Sequence, residues 1–215
     1  MARRDRPDSS RTAPSPAPAA VFRLGAVPGA TPGKWISIWR QRMRQTTIEL
    51  VELDPASQRQ ELVAGHVDAA LVRLPIDRAD LHVIALYDEV PVVVMSTDSA
   101  LTVAEELTLD DLAGEVLIVP DDDVLHAAAP GTSPPAFAAP ADTASATELV
   151  ATGVGILIVP MSLARLHHRK DVTYRPLGDG PLSSVGLAWV AERTTPEVEA
   201  FVGIVRGRSI RSSRS

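Results

Sequence analysis

The chain has 215 residues, 45% of them apolar, and no cysteine. That length accommodates one large domain or two small lobes, and the missing thiols exclude a disulfide, a zinc-thiolate centre and a cysteine nucleophile. The net charge of −6 is unevenly spread: four arginines and two aspartates precede residue 21, four arginines follow Val205, and the 13 basic and 25 acidic residues left between 22 and 205 give that body a charge of −12, which repels phosphate backbones.

The first six residues, Met1 to Arg6, are basic, but the stretch from there to residue 20 is rich in Pro, Ser and Ala, with Pro7, Pro14, Pro16 and Pro18. A secretory signal needs an apolar central region, which is missing, so 1–20 reads as a disordered leader and the protein as cytoplasmic. No apolar run reaches the roughly 18 residues of a membrane span. Val21 to Val27 reads as the first strand, and Pro28 to Gly33 as a turn. A helix comes next, over about Lys34 to Gln45. Trp35 and Trp39 stand one turn apart on it beside Ile38 and Met43, so one flank is apolar. Core packing is the first reading for both Trp, with an interface as the alternative. Ile48 to Leu53 is a second strand.

A pattern then occurs twice. Glu61 to Pro75 and Glu148 to Pro160 each read as the end of a helix, a glycine stop, a short apolar strand and a proline. Gly65 and Gly153 can take the left-handed conformation that ends a helix. Val67 to Val72 and Val154 to Val159 are nearly continuous apolar runs, which suits strands covered on both faces. Each helix opens with what reads as a capping box, Ser57-x-x-Gln60 and Ser145-x-x-Glu148. The first half is therefore β-α-β-α-β, and two such units far apart in sequence imply two α/β lobes with a ligand cleft between them.

After Pro75, His82 to Leu86 and Val90 to Ser96 read as strands. Leu107 to Leu112 reads as a short helix capped by Thr108, and Glu115 to Val119 as a strand. Residues 120–142 contain five prolines and admit no long helix. Beyond the second unit come a short helix (Ser162 to His168), strands at Val172 to Arg175 and Ser184 to Ala191, a helix from Pro196 to about Arg206, and a basic tail over 207–215.

The order of these stretches resembles the effector-binding domain of LysR-type transcriptional regulators. The resemblance rests on Phe22 to Gly29, Trp39 to Met43, Ile48 to Leu53, Gln60 to Arg73, Leu107 to Gly114 and Leu149 to Pro160. It implies a type 2 periplasmic-binding-protein fold, two Rossmann-like α/β lobes joined by a two-strand hinge. Lobe 1 would comprise 21–94 plus 185–206, and lobe 2 residues 95–184. It implies a non-enzymatic sensor that closes on a small organic anion and works through a homodimer or a hetero-partner, without a cofactor. The chain departs from the family pattern in having no winged helix-turn-helix before residue 21 and a shortened second lobe at 120–142, so direct sequence-specific DNA binding is not expected. The alternatives are a cytoplasmic small-molecule binder with no regulatory role and, less favoured, a lyase on the same fold. A prephenate-dehydratase-like lyase would need a Thr-Arg-Phe motif that is missing.

In this fold the ligand faces helix N-termini, where free N–H groups favour an anion. The resemblance thus points to Thr31 and Pro32 before the first helix, Ser57 and Gln58 at the second, and Thr143 and Ser145 at the helix of the other lobe. Capping alone is the competing account of Ser57 and Ser145. Arg73, just past a strand end, offers a bidentate donor for a carboxylate, against which stands a surface ion pair with Asp77. Asp121 to Asp123 lack the glycine and distal glutamate of a calcium loop, and His167 and His168 point apart on a helix, so neither reads as a metal site.

We expect this chain to bind duplex DNA weakly and without sequence preference, in a manner that fades steeply as salt rises. Titration of labelled duplexes at several salt concentrations checks this; nanomolar, sequence-selective binding at physiological salt contradicts it.

Overall fold

The computed structural model describes residues 20–207; the expected leader and tail lie outside them but for their boundary residues. The first sheet is built as the periodicity requires. β1 (Ala20–Ala26), α1 (Gly33–Arg42), β2 (Thr46–Glu52), α2 (Gln58–Ala64) and β3 (Ala69–Leu74) alternate, and β1 lies parallel between β2 and β3. β4 (Leu81–Glu89) and β8 (Ser183–Val190) extend this sheet antiparallel, in the order β2-β1-β3-β8-β4. The second sheet has β5 (Pro91–Ser96) at its centre, flanked antiparallel by β6 (Leu157–Pro160) and β7 (Val172–Pro176). The chain therefore changes sheet at Val90 and returns between β7 and β8. The result is two α/β lobes.

Both faces of β3 are covered, which is why its sequence is a nearly continuous apolar run. Ala69 and Leu71 pack with Trp39 of α1 and with Val198, Phe201 and Ile204 of α5 (Pro196–Val205). Ala70 and Val72 point the other way, against Leu62 of α2 and Val67. The centre of the first core is aromatic: Phe22 stacks on Trp39 at 4.6 Å between ring centroids and lies 5.4 Å from Phe201. Trp39 is fully buried and its indole N–H donates to Thr46 O at 3.0 Å, whereas Trp35 is only partly buried against the same core. The second core is aliphatic. Val92 and Val94 of β5 meet Ala146 and Val150 of α3 (Thr143–Ala151) and Leu163 of α4 (Met161–Leu166).

Gly65 and Gly153 have φ of +79° and +78°, the left-handed geometry expected after the two helices. Four expectations are corrected. Ser57 holds the N-cap position of α2, but its hydroxyl caps nothing and lies 3.4 Å from Asp54 O. α3 begins two residues before Ser145, and its cap is Asp142, which accepts the Ser145 N–H at 2.7 Å. Leu107 to Leu112 forms only a 3₁₀ turn at Asp110–Leu112, with the Asp111 carboxylate accepting both the N–H and the hydroxyl of Thr108 at 2.8 Å. Glu115 to Val119 makes isolated bridges, Val116 with Ser133 and Leu117 with Ile156, and no full strand.

Removing the indole from the first core should be costly. We expect Trp39→Ala to lose about 3–5 kcal/mol of stability in urea unfolding, and Trp39→Phe to lose less, since it keeps most of the stack but leaves Thr46 O without its donor.

Candidate functional site

Because β3 is buried on both faces, the residue at its end is buried too. Arg73 is only 5% exposed. Its backbone is held by Gln58 at the start of α2, whose Nε2 donates to Arg73 O at 3.0 Å and whose Oε1 accepts from the Arg73 N–H at 2.8 Å. Its guanidinium collects groups from distant parts of the chain. Nη1 donates to the Glu89 carboxylate at the end of β4 and, at 2.8 Å, to Ser183 Oγ at the start of β8. Nη2 donates to Pro28 O at 3.1 Å and to Ser162 Oγ at 3.3 Å. Ser162 belongs to α4 in the second lobe, and its hydroxyl donates to Glu89 at 2.9 Å. This network joins the two lobes. Gly29, at φ +85°, lies against it, where a Cβ would collide with the Ser162 hydroxyl. The expected partner Asp77 is instead paired with Arg59 at 3.2 Å, because Asp77 lies on the loop beyond the strand end while Arg73 turns inward.

A cavity opens on each side of this network. One, of about 210 Å³, has Pro28, Glu52, Pro55 and Arg73 on the side of the first lobe, and Asp122, Val124, Asp142, Ala144, Leu163, Leu166 and His167 on the other. The other, of about 540 Å³, is lined by Gly29, Ala30 and Thr31 from the first lobe, Tyr87 to Val90 at the crossing, and Met161, Ser162, Arg165 and Leu166 of the second. Burial raises the Tyr87 phenol pKa, the Glu89 charge adds to this, and Arg73 opposes it.

Of the residues expected at the site, Arg73 and Thr31 reach cavity walls, and they reach different cavities. Pro32 is buried at the start of α1 and caps nothing. Ser57, Gln58 and Ser145 line neither cavity, and Gln58 is consumed by Arg73. Thr143 is 2% exposed and donates to Asp122 Oδ1 at 2.8 Å. Sequence reasoning missed Glu52, Glu89, Asp122, Asp142, Ser162 and His167 as neighbours of the cleft. For Asp142 a signal existed: an aspartate three residues before Ser145 is itself a good cap. That cap fills the N-terminus of α3 with the protein's own carboxylate, where a ligand anion was expected. The Ser145 N–H, and more weakly His167, hold the Asp142 carboxyl below its ordinary value.

The sequence profile of the LysR substrate binding domain matches residues 17–209. The chain is 26% identical over 198 residues to the Hca operon transcriptional activator HcaR of Escherichia coli K12, covering 86% of this chain and 67% of that protein. It is 24% identical over 187 residues to the HTH-type transcriptional regulator AlsR of Bacillus subtilis, covering 82% and 62%. With the HTH-type transcriptional regulator CatR of Pseudomonas putida it shares 30% over 166 residues, covering 73% and 57%. The chain thus spans between about half and two-thirds of these relatives' lengths. Among solved structures, the BenM effector binding domain with its effector benzoate superposes with a TM-score of 0.72 at 23% identity, covering 87% of this chain and 91% of that one. The reduced OxyR regulatory domain from Pseudomonas aeruginosa superposes with a TM-score of 0.68 at 24% identity, covering 87% and 96%. At these identities the two structures establish the fold alone.

Breaking a buried pair from one side leaves a stranded charge. We expect Arg73→Met to lose about 3–5 kcal/mol in chemical unfolding, and Arg73→Met combined with Glu89→Gln to recover part of that loss. Equal losses in the single and double variants contradict the account of the loss as a stranded Glu89 charge.

Proposed function

Because the chain belongs to the LysR substrate binding domain family, whose profile covers residues 17–209, we propose that it is the effector-sensing part of a transcriptional regulator, closing on a small molecule held between its lobes. The observation that carries this is the 210 Å³ cavity whose walls come from both lobes, beside a buried network that ties Arg73 of one lobe to Ser162 of the other. A ligand that binds the closed arrangement better than the open one shifts the population toward closure, and Arg73, Glu89 and Ser162 lie where such a shift is felt.

The relatives are named as transcriptional regulators, and the proposed role requires no chemical turnover. Among the described residues no helix is long and apolar enough to cross a membrane, which is compatible with a cytoplasmic sensor. Output through a homodimer or a hetero-partner is part of the proposal. Its support is the edge position of β2 in the first sheet, with Leu50 52% exposed on it. The residues we assign to the ligand are Arg73, Glu52, Asp122, Asp142 and His167. Thr31 belongs to the second cavity, and Pro32, Ser57, Gln58, Thr143 and Ser145 act by supporting the walls. A simple organic anion, the effector class implied by the resemblance, would face three carboxylates on these walls.

Native mass spectrometry of the purified chain identifies co-purified small molecules, and hydrogen exchange then locates them. With a bound effector, exchange should slow at 52–55, 122–124, 142–144 and 163–167 together. A tight ligand that protects only segments away from these four sinks the cleft reading.

A further inference from the structure

We propose that the second lobe holds a site for a small uncharged ligand built like a capped amino acid, with an N–H and a C=O flanking one carbon that carries an apolar group. The first observation is a gap in a ladder of hydrogen bonds. Val116 bridges Ser133 in parallel: the Ser133 N–H donates to Glu115 O, and Ser133 O accepts from the Leu117 N–H, both at 2.9 Å. Further along, the Asp121 N–H donates to Pro140 O at 2.9 Å. Between these rungs a parallel ladder needs residue 135 to donate to Leu117 O and to accept from the Val119 N–H. Residue 135 is a proline, which has no N–H, and neither rung forms. Leu117 O and the Val119 N–H have no hydrogen-bond partner among the described residues. The open edge is one residue wide and closed at both ends. It admits the N–H and C=O of a single residue-like unit, and it stops a longer strand from continuing the ladder.

The second observation is the cavity at that gap. It has a volume of about 430 Å³, within the range of small-molecule sites, and Leu117, Val119, Pro134, Pro135, Phe137 and Ala139 form its apolar wall. Val119 and Phe137 are 45% and 39% exposed, apolar surface that a ligand would take out of water. Charge then narrows the class. Residues 127–141 hold no ionisable side chain, while the lobe around them, 91–182, has 13 acidic and 4 basic residues, a net −9. An anion is repelled by that field, and a cation finds no carboxylate on the cavity wall. A hydrocarbon fills the apolar wall but leaves Leu117 O and the Val119 N–H open. A free amino acid brings two charges to a wall that has none. An acylated amino-acid amide or ester satisfies both the edge and the wall. The site shares no lining residue with the two inter-lobe cavities, so it does not depend on the cleft reading.

The test uses the full 215-residue chain and the N-acetyl amides of leucine, isoleucine, phenylalanine and tryptophan. Each is compared with its analogue methylated at the amino-acid nitrogen and with the unblocked amino acid. Calorimetry measures binding, and hydrogen exchange follows the backbone amide of Val119. At least one N-acetyl amide should bind, slow exchange at Val119, and lose roughly tenfold or more in affinity on N-methylation, which removes the donor to Leu117 O. The unblocked amino acid should bind no more tightly than the methylated analogue. Phe137→Ala should weaken binding and leave the melting temperature nearly unchanged, since the ring is partly exposed. Pro135→Ala gives a second readout should that variant fail to fold. It restores an N–H at 135, so the chain can close its own ladder, slow Val119 exchange without a ligand and lose the binding. Equal affinity of methylated and unmethylated probes, protection confined to other segments, no binding by any N-acetyl amide, or undiminished binding in Pro135→Ala overturns the proposal. Protection of Val119 that appears with rising protein concentration and no probe also overturns it, because a second copy then fills the edge.

Discussion

The contact on which the rest of the molecule turns is the buried pair of Arg73 and Glu89. Taking both ions out of water is expensive, and the attraction repays it only when the remaining donors and acceptors are filled. Here nearly all are filled, by Ser183, Pro28 and Ser162 for the guanidinium and by Ser162 again for the carboxylate. These partners come from the loop after β1, the start of β8 and α4. The pair, Ser183 and Pro28 all belong to the first lobe, and the Ser162 hydroxyl, bonded to both members of the pair, is what carries the network across to the second lobe.

The supporting structure around the pair is stiff on one side and sparse on the other. In the first lobe, helices cover both faces of a five-stranded sheet, and the stacked Phe22, Trp39 and Phe201 fill its centre. Gln58 then locks the backbone of Arg73 from α2. The second lobe has a three-stranded sheet, and the prolines of 120–142 leave it without a regular element there. Its share of the cleft wall is therefore made by a loop and a helix start. Asp123 ties that loop down by accepting the N–H groups of Leu125 and His126, while Asp122 is tied to α3 through Thr143.

That division also explains the electrostatics. A helix N-terminus favours an anion, but α3 has its own in Asp142. The acidic character of the body thus reaches the cleft, and the one strong cation there is already spoken for. The same fold can present an anion site or a cation site, depending on which side chains occupy the helix start and the strand ends around it.

What the chain reveals before folding is what depends on neighbours in sequence. The two helix–glycine–strand units were legible because a left-handed glycine and an apolar run are local signals, and Gly65 and Gly153 adopt that geometry. Trp39 was legible as core because its spacing from Trp35 places one flank of α1 inward. Local signals also misled. Ser145 and Asp142 both satisfy a capping pattern, and only the true start of α3 chooses between them. Arg73 looked free to pair with Asp77, four residues away, but β3 turns it inward to Glu89 and Ser183, 16 and 110 residues along the chain. Which charges meet, and which remain to face a ligand, depends on how two sheets and their loops come together, because burial and pairing are properties of the assembled interior and not of any stretch of sequence.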